Sequence, residues 1–241
     1  MSESIVNILP DADALIEHTA QWLAKRMAAS TGRFTVALSG GSTPGPLYRR
    51  LAAPDLAATI PWDRVHLFWG DERFVPHDDP ASNYRLVREA LIDHVPIPPA
   101  NVHPVPTDAT PEAAAQSYAR TLQEYYGDTT LRPGSPLFDV NLLGIGDDGH
   151  TASLFPGAPQ LEEMQRWAVA VVGQKPEPRI SLTYPVLASA RTVAFLVSGA
   201  GKRAAVTRAL RHDAALPSGR VRSDGELLWL LDRAAAPESA Q

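Results

Sequence analysis

The feature that most constrains the fold of this chain is the alternation of short apolar runs with segments of helical periodicity. The runs Phe34–Leu38, 64–69 and Phe138–Leu143 are followed by turns rich in Gly, Pro and polar residues, and then by helical stretches. Continuous apolar runs are typical of strands buried on both faces, and strands that alternate with helices form parallel sheets. The sequence therefore predicts an α/β layered fold with a mostly parallel sheet flanked by helices.

The alternation extends along the chain, and we find no internal repeat or low-complexity tract. With 241 residues, the chain is expected to form one domain spanning residues 1–241. Ligands of such sheets bind beyond the carboxyl ends of the strands, so the polar loops at those ends are the candidate sites. Further strands are predicted at 5–9, 167–172, 180–183, 193–197 and 226–231, and helices at 11–29, 44–51, 81–94, 110–126 and 200–211.

Composition and motifs exclude several chemistries. The chain contains no cysteine, which excludes a disulfide framework, a thiolate nucleophile and a Cys-ligated zinc. No set of His, Asp or Glu has the spacing of HExxH or of an EF-hand loop, so no metal site is predicted. A GxSxG elbow is also absent, so an esterase-type serine is not supported.

Charge and hydropathy limit the partners and the compartment. The formal net charge of −5 does not suit non-specific binding of nucleic acid. No apolar stretch approaches the roughly 18 residues of a membrane span, and no basic segment precedes an apolar one at the start of the sequence. We expect a cytoplasmic protein with no nucleic-acid or membrane partner, acting as a monomer or a weak homodimer.

The first candidate loop spans residues 39–44 (SGGSTP) and directly follows an apolar run. Two glycines allow successive backbone N–H groups to converge, and the following helix, with Pro44 in its first turn, adds its positive end. Together these groups form a cradle for a phosphate. The loop lacks the GxxxxGK[ST] and GxGxxG patterns, so a nucleotide is not indicated. The alternative interpretation is a tight turn with Thr43 as the helix cap.

The second loop, residues 69–76 (WGDERFVP), again follows a predicted strand. Arg73 could clamp a phosphate or a carboxylate, while Asp71 and Glu72 could accept hydrogen bonds from sugar hydroxyls or act as bases. The alternative interpretation is a solvated turn that binds nothing.

The third loop, residues 144–156 (GIGDDGHTASLFP), contains the candidate base His150. An imidazole ordinarily has a pKa of ~6.5, so its neutral form can take a proton from water at physiological pH. Asp148 could fix the tautomer of this ring, or could instead accept a hydrogen bond from the turn backbone. A histidine with a structural role, or one merely exposed to solvent, is the alternative.

The fourth group consists of two separate cations. Arg179 precedes the predicted strand 180–183, and Lys202 follows the segment 198–201 (SGAG). Lys202 would lie near the start of a helix, where a cation is unfavourable unless it faces an anion. Each could be a surface charge, but a phosphate held by the first loop would account for both.

Together, these residues resemble the 6-phosphogluconolactonase family, within the glucosamine/galactosamine-6-phosphate isomerase superfamily, in content, order and spacing. The resemblance covers residues 36–202, and the run DGHTASLFP is its most specific part. Related sugar-phosphate enzymes share the run SGGSTP. The matching segments are 39–44, 71–73 with Pro76, 144–146, 148–156, 178–183 and 199–202.

The resemblance implies a Rossmann-like fold shared with glucosamine-6-phosphate deaminase and ribose-5-phosphate isomerase. It implies hydrolysis of 6-phospho-D-glucono-1,5-lactone to 6-phosphogluconate in the oxidative pentose phosphate pathway, without a metal or organic cofactor. His150 matches the general base of the family, with Asp148 as its candidate partner, and no role is assigned to Asp147. The positions that match substrate binding, mainly of the phosphate, are Ser39, Gly40, Gly41, Ser42, Thr43, Arg73, Arg179 and Lys202.

Two other functions remain open from the sequence. A glucosamine-6-phosphate deaminase or isomerase could use the same phosphate loop, with Asp71 as the base and His150 assisting ring opening. A non-catalytic sugar-phosphate-binding module could be built on the same fold, although no basic helix-turn-helix candidate accompanies it. Arg73 and the run TASLFP after His150 favour the lactonase.

Overall fold

The computed structural model of the protein describes residues 4–238, which contain two β-sheets. The strands of the larger sheet all run parallel and lie in the order β1-β9-β8-β5-β2-β3, whereas the smaller sheet has the antiparallel order β4-β7-β6. The strands are β1 (Ser4–Leu9), β2 (Phe34–Leu38), β3 (Val65–Trp69), β4 (Asp71–Arg73), β5 (Phe138–Leu143), β6 (Ala168–Val171), β7 (Arg179–Leu182), β8 (Ala190–Val197) and β9 (Glu226–Asp232).

Helices flank the parallel sheet, as the alternating pattern predicts. Within residues 4–238, none of them combines the length and the apolarity that a membrane crossing requires. The helices are α1 (Ala12–Ala29), α2 (Pro44–Leu51), α3 (Pro54–Ala57), α4 (Asn83–Ala90), α5 (Pro111–Tyr126), α6 (Tyr184–Ala188), α7 (Arg203–Leu210) and α8 (Pro217–Arg220), with short 3-10 turns at 62–64, 92–94, 99–101, 159–162 and 200–202.

The prediction of an α/β fold with a mostly parallel sheet is confirmed, and two of the predicted helices differ at their ends. The predicted helix 81–94 is shorter, because Ser82 caps α4 by accepting a hydrogen bond from the N–H of Arg85, and the helix stops at Ala90. The predicted helix 200–211 begins as a 3-10 turn and becomes α-helical only at Arg203. All five residues of β2 are buried, as a strand covered on both faces requires.

In the small antiparallel sheet, β6 and β7 match predicted strands, but β4 lies where a loop is predicted at residues 71–73. Gly70 is the single residue between β3 and β4, and it joins both sheets: its N–H donates to Leu38, and its carbonyl accepts from the N–H of Leu182. Strand β4 then pairs with β7, which comes from a distant part of the chain. Three polar residues carry no periodic signal, so only the tertiary pairing defines this strand.

The carboxyl ends of four neighbouring parallel strands bring the candidate loops together. Strands β8, β5, β2 and β3 are adjacent in the sheet, and each is followed by one of the polar segments singled out in the sequence. Because parallel strands end at the same edge, these segments meet there although they are far apart in the chain.

Two buried tyrosines fix the ends of β2 and β3. The hydroxyl of Tyr48 accepts a hydrogen bond from the N–H of Ser39 (3.1 Å) and donates to its carbonyl (2.6 Å). The hydroxyl of Tyr118 makes the same two bonds with Trp69, at 2.7 and 2.9 Å. Burial raises the pKa of both phenols. Each hydroxyl thus satisfies a backbone N–H and a carbonyl where the strand ends and the loop begins.

We predict that Tyr118→Phe lowers the free energy of unfolding by about 1 to 3 kcal/mol, because Trp69 loses both partners at a site closed to water. Tyr126→Phe is the matched control. Tyr126 is half-buried, but its hydroxyl donates to the carbonyl of Ser135 and accepts from the N–H of Arg132 in exposed hydrogen bonds that water can replace. We expect this variant to stay within about 0.5 kcal/mol of the parent in denaturant unfolding. Equal losses in the two variants would contradict the role given to Tyr118.

Candidate active site

A cavity opens at the carboxyl edge of the parallel sheet, and nine of the ten predicted site residues line it. Asp148 is the exception; it lies behind His150 and is bonded to that ring. The structure thus brings the four candidate segments to one place. The predicted residues that line the cavity are Ser39, Gly40, Gly41, Ser42, Thr43, Arg73, His150, Arg179 and Lys202.

The 39–43 loop presents backbone donors to this cavity. Among residues 4–238, the N–H groups of its last four residues, 40–43, find no acceptor. Gly41 has a φ of +112°, a conformation that favours glycine and lets the chain turn back into α2. Thr43 precedes α2 but makes no side-chain cap bond, so the interpretation of this loop as a simple capped turn does not hold. Converging free N–H groups before a helix form a site for an anion.

Asn83 packs against this loop, a contact that the sequence analysis missed. A Cβ atom on Gly40 would overlap Oδ1 of Asn83, so a larger residue at position 40 would displace the Asn83 side chain. The Asn83 amide donates to the carbonyl of Asp71 (2.9 Å), while its Oδ1 is buried and receives no hydrogen bond from any described residue. Asn83 is the first residue of α4 and follows the cap Ser82. Nothing in the sequence at this position signals a contact with the 39–43 loop.

Two arginines face each other across the small sheet. Arg73 of β4 is the register partner of Arg179 of β7, and like charges directly opposite one another destabilise a strand pair. The Nε atoms of both are buried without an acceptor in the described part of the chain. Burial and then the charge of Arg73 lower the pKa of Arg179, whose paired carboxylate, on Glu177, is 3.7 Å away. An anion bound between the two guanidinium groups would remove this repulsion.

The two carboxylates beside Arg73 differ sharply in environment. Glu72 is fully buried, does not line the cavity, and accepts hydrogen bonds from the N–H groups of Arg73, Asn83 and Tyr84 at 2.7 Å. Burial raises the pKa of Glu72 to about 7, against the opposing effect of these donors. Glu72 therefore ties β4 to α4, and both interpretations of it from the sequence, as a ligand or base and as part of a solvated turn, were wrong. Asp71 does line the cavity, and its Oδ2 accepts a hydrogen bond from Ser153 (2.6 Å).

His150 and Asp148 form a hydrogen-bonded pair. Nδ1 of the ring lies 2.5 Å from Oδ1 of Asp148, which also accepts the backbone N–H of His150. An ionised carboxylate can only accept, so Nδ1 carries a proton, and in the neutral ring the lone pair is then on Nε2. Burial acts to raise the pKa of Asp148, but the hydrogen bonds and charge of His150, with the charge of Lys175, outweigh it and lower that pKa. Asp148 thus makes both of the hydrogen bonds that the sequence left as alternatives, one to the ring and one to the turn backbone.

The loop that carries His150 is closed by its own backbone. The N–H of Gly146 donates to the carbonyl of His150 (2.8 Å), and the hydroxyl of Thr151 donates to Gly144 (2.8 Å). Ala152, which follows, has a φ of +47°, an uncommon conformation for a residue with a side chain. Ser153 then joins the loop to β4 through Asp71. These contacts hold the imidazole at a fixed place on the cavity wall.

Lys202 does have the anionic partner that its position demands, but the partner is a side chain. Its Nζ lies 2.6 Å from Oδ1 of Asp147, a residue to which the sequence analysis gave no role. Lys202 is the N-cap of α7, where the positive end of the helix disfavours a cation without a counterion.

The cavity therefore combines two kinds of chemistry. Backbone N–H groups and cations surround the part beside β2 and β4, and an imidazole with a free nitrogen stands at the loop after β5. Such a site can hold an anionic group while a proton is taken from a water molecule. Within residues 4–238, no group of three or more His, Asp or Glu side chains is placed to hold a metal ion.

Comparisons with known proteins show which families this chain resembles. The family model for glucosamine-6-phosphate isomerases and 6-phosphogluconolactonase matches residues 10–229. The 6-phosphogluconolactonase of Nostoc sp. is 46% identical to this chain, in an alignment that covers 97% of each protein. That of Mycobacterium tuberculosis is 40% identical, and the alignment covers 98% of each protein.

Solved structures resemble the fold closely. The 6-phosphogluconolactonase of Thermotoga maritima superposes with a TM-score of 0.79 at 31% identity, covering 95% of this chain and 100% of its own. A monomeric glucosamine-6-phosphate deaminase has the same TM-score of 0.79 at 20% identity, covering 96% of this chain and 98% of its own, which indicates a shared fold alone.

We predict that Gly146→Ala displaces the His150 ring, because the added Cβ would lie 2.0 Å from Nδ1 and 2.6 Å from Oδ1 of Asp148. The measurement is the NMR signal of the Nδ1 proton, which a short bond to a carboxylate shifts far downfield. We expect this signal in the parent and not in the variant. Gly144→Ala is the matched control in the same loop, because its Cβ meets nothing within 4 Å. A signal that survives Gly146→Ala would contradict the packing described here.

Proposed function

The chain belongs to the family of glucosamine-6-phosphate isomerases and 6-phosphogluconolactonases, and we propose that it opens 6-phospho-D-glucono-1,5-lactone by water activated at His150, with the substrate held by its phosphate. The observation that carries this mechanism is that the free Nε2 of His150 and the 39–43 cradle belong to one cavity. The high identity to proteins named 6-phosphogluconolactonase supports the substrate. That residues 1–241 form one domain, and that the protein acts as a monomer or a weak homodimer, are still predictions.

The first step is the attack of water on the lactone carbonyl carbon, C1. Nε2 of His150 accepts a proton from the water as its oxygen bonds to C1, and Asp148 stabilises the imidazolium that forms. A lactone is an activated acyl group, so a positioned water and one base suffice and no covalent enzyme intermediate is required. General-base assistance of this kind contributes about 100- to 10,000-fold.

The second step opens the ring. The tetrahedral oxyanion re-forms the carbonyl, the bond between C1 and the ring oxygen breaks, and the electron pair stays on that oxygen. The imidazolium returns its proton to the ring oxygen, which becomes the 5-hydroxyl, and the new carboxylic acid ionises. We assign stabilisation of the oxyanion to cavity backbone N–H groups; that of Ala152, two residues after His150, finds no acceptor within residues 4–238.

Phosphate anchoring supplies the orientation for this attack. The N–H groups of residues 40–43, the opposed Arg73 and Arg179, and Lys202 offer hydrogen bonds and positive charge to one dianion. Fixing the distant phosphate holds C1 beside the water, so binding energy from a non-reacting group is used to lower the barrier.

The deaminase alternative would use Asp71 as its base. One oxygen of Asp71 already accepts the Ser153 hydroxyl, and the likeness to the solved deaminase is confined to the fold. A direct discrimination is to supply the protein with both substrates. Release of ammonia from glucosamine 6-phosphate without accelerated lactone opening would select the deaminase.

We predict that His150→Asn lowers the turnover of the lactone at least ~100-fold, because the water loses its base. Binding of 6-phosphogluconate should be retained, since the phosphate contacts remain. The assay must be corrected for spontaneous opening of the lactone. His18→Asn, on the exposed side of α1, is the matched control and should be fully active. Unchanged turnover in His150→Asn would remove this residue from the mechanism.

We predict that Arg179→Met weakens 6-phosphogluconate binding by about 10- to 100-fold, the cost of a lost charge-assisted hydrogen bond. The free energy of unfolding should not fall, because the variant also removes the repulsion from Arg73. Arg191→Met, which breaks an exposed ion pair with Asp139, is the control for binding. A variant that binds as the parent does would contradict the anchoring role of Arg179.

A further inference from the structure

The ion pair between Lys202 and Asp147 connects two loops at the cavity. Asp147 lies in the loop after β5, and Lys202 lies after β8, the neighbouring strand of the sheet. The side chain of Asp147 is 77% exposed, and that of Lys202 is 32% exposed and lines the cavity. The pair is therefore accessible from solvent and from the cavity.

The carboxylate of Asp147 has no polar partner other than Lys202 among the described residues. Within residues 4–238 it accepts no hydrogen bond and its ion-pair partner is Lys202, whereas the backbone of the turn is held by Gly146, Asp148 and Gly149. The loop therefore does not need a carboxylate at position 147 to keep its shape.

The other cations of the cavity are not neutralised in this way. The Nε atoms of Arg73 and Arg179 lack acceptors among the described residues, and the carboxylate paired with Arg179 is 3.7 Å away. Lys202 is thus distinguished by a close internal counterion. A phosphate that reaches Lys202 must replace this carboxylate or share the ammonium group with it.

We propose that Asp147 is a built-in competitor for the phosphate: its carboxylate holds Lys202 when no phosphate is bound and gives it up when the phosphate arrives. This inference rests on the proposed function, in which Lys202 binds the phosphate. Asp147 thereby lowers the affinity for substrate and for product alike.

The competition bears on product release as well as on substrate binding. Ring opening adds a carboxylate to a molecule that keeps its phosphate, so the product carries more negative charge than the substrate. Return of Asp147 to Lys202 favours release of this anion. Because exposed ion pairs are weak, we expect Asp147 to change the affinity by about two- to fivefold.

A double-mutant cycle tests the proposal, with 6-phosphogluconate binding measured by calorimetry at low salt. Asp147→Asn keeps the shape of the side chain and removes its charge, and we expect it to tighten binding by about two- to fivefold. Lys202→Met should weaken binding. When Lys202→Met is already present, adding Asp147→Asn should give no gain.

Asp55→Asn is the matched control, because it removes an exposed ion pair with Arg50 and changes the net charge equally, away from the cavity. It should leave the affinity unchanged. Gluconate, which lacks the phosphate, should not distinguish Asp147→Asn from the parent. The gain from Asp147→Asn should also shrink as the salt concentration rises.

The outcomes distinguish phosphate binding by Lys202 from competition by Asp147. Unchanged binding in Lys202→Met would show that the anchoring assigned to Lys202 is wrong. Weakened binding in Lys202→Met, with unchanged or weaker binding in Asp147→Asn, would overturn the competition alone, because Asp147 would then be inert or would position the lysine. A gain from Asp147→Asn that persists with Lys202→Met would also overturn it, in favour of general charge repulsion.

Discussion

The parallel alignment of β8, β5, β2 and β3 is the constraint on which the rest of this structure depends. Parallel strands end at one edge, so loops that are distant in the chain must meet there, and their backbone groups must find partners or face a ligand. The structure divides these groups clearly. Tyr48 and Tyr118 satisfy the N–H and carbonyl groups at the ends of β2 and β3, whereas the N–H groups of residues 40–43 have no acceptor within the described chain.

The small sheet adds the charges that the parallel sheet does not supply. Gly70 leads the chain out of the parallel sheet into β4, where Arg73 must lie opposite Arg179. This pairing is unfavourable for the protein alone, as are buried guanidinium nitrogens without acceptors. Sites of ligand binding are where such local costs are expected, because the ligand removes them. His150 and Asp148, in contrast, satisfy each other and leave one ring nitrogen free for a proton.

Features that depend on neighbouring residues could be predicted from the sequence, whereas features that depend on contacts between distant parts of the chain could not. The fold and the 39–43 and His150 loops were accessible because apolar runs, glycines and a histidine leave local patterns. Strand β4 was not, because its partner β7 comes from a distant part of the chain. The same reason hid the burial of Glu72 beneath α4, the contact of Asn83 with Gly40 and the pairing of Asp147 with Lys202. Each of these contacts depends on how the fold brings separate segments together and not on a pattern of neighbouring residues.

The most direct test of the central claim is a crystal structure of the complex with 6-phosphogluconate. We predict that the phosphate accepts hydrogen bonds from the N–H groups of residues 40–43 and from Arg73 and Arg179. The carboxylate carbon of the ligand, the former lactone carbonyl, should lie beside Nε2 of His150. A ligand bound in the reverse direction, or a phosphate seated away from the 39–43 loop, would contradict it.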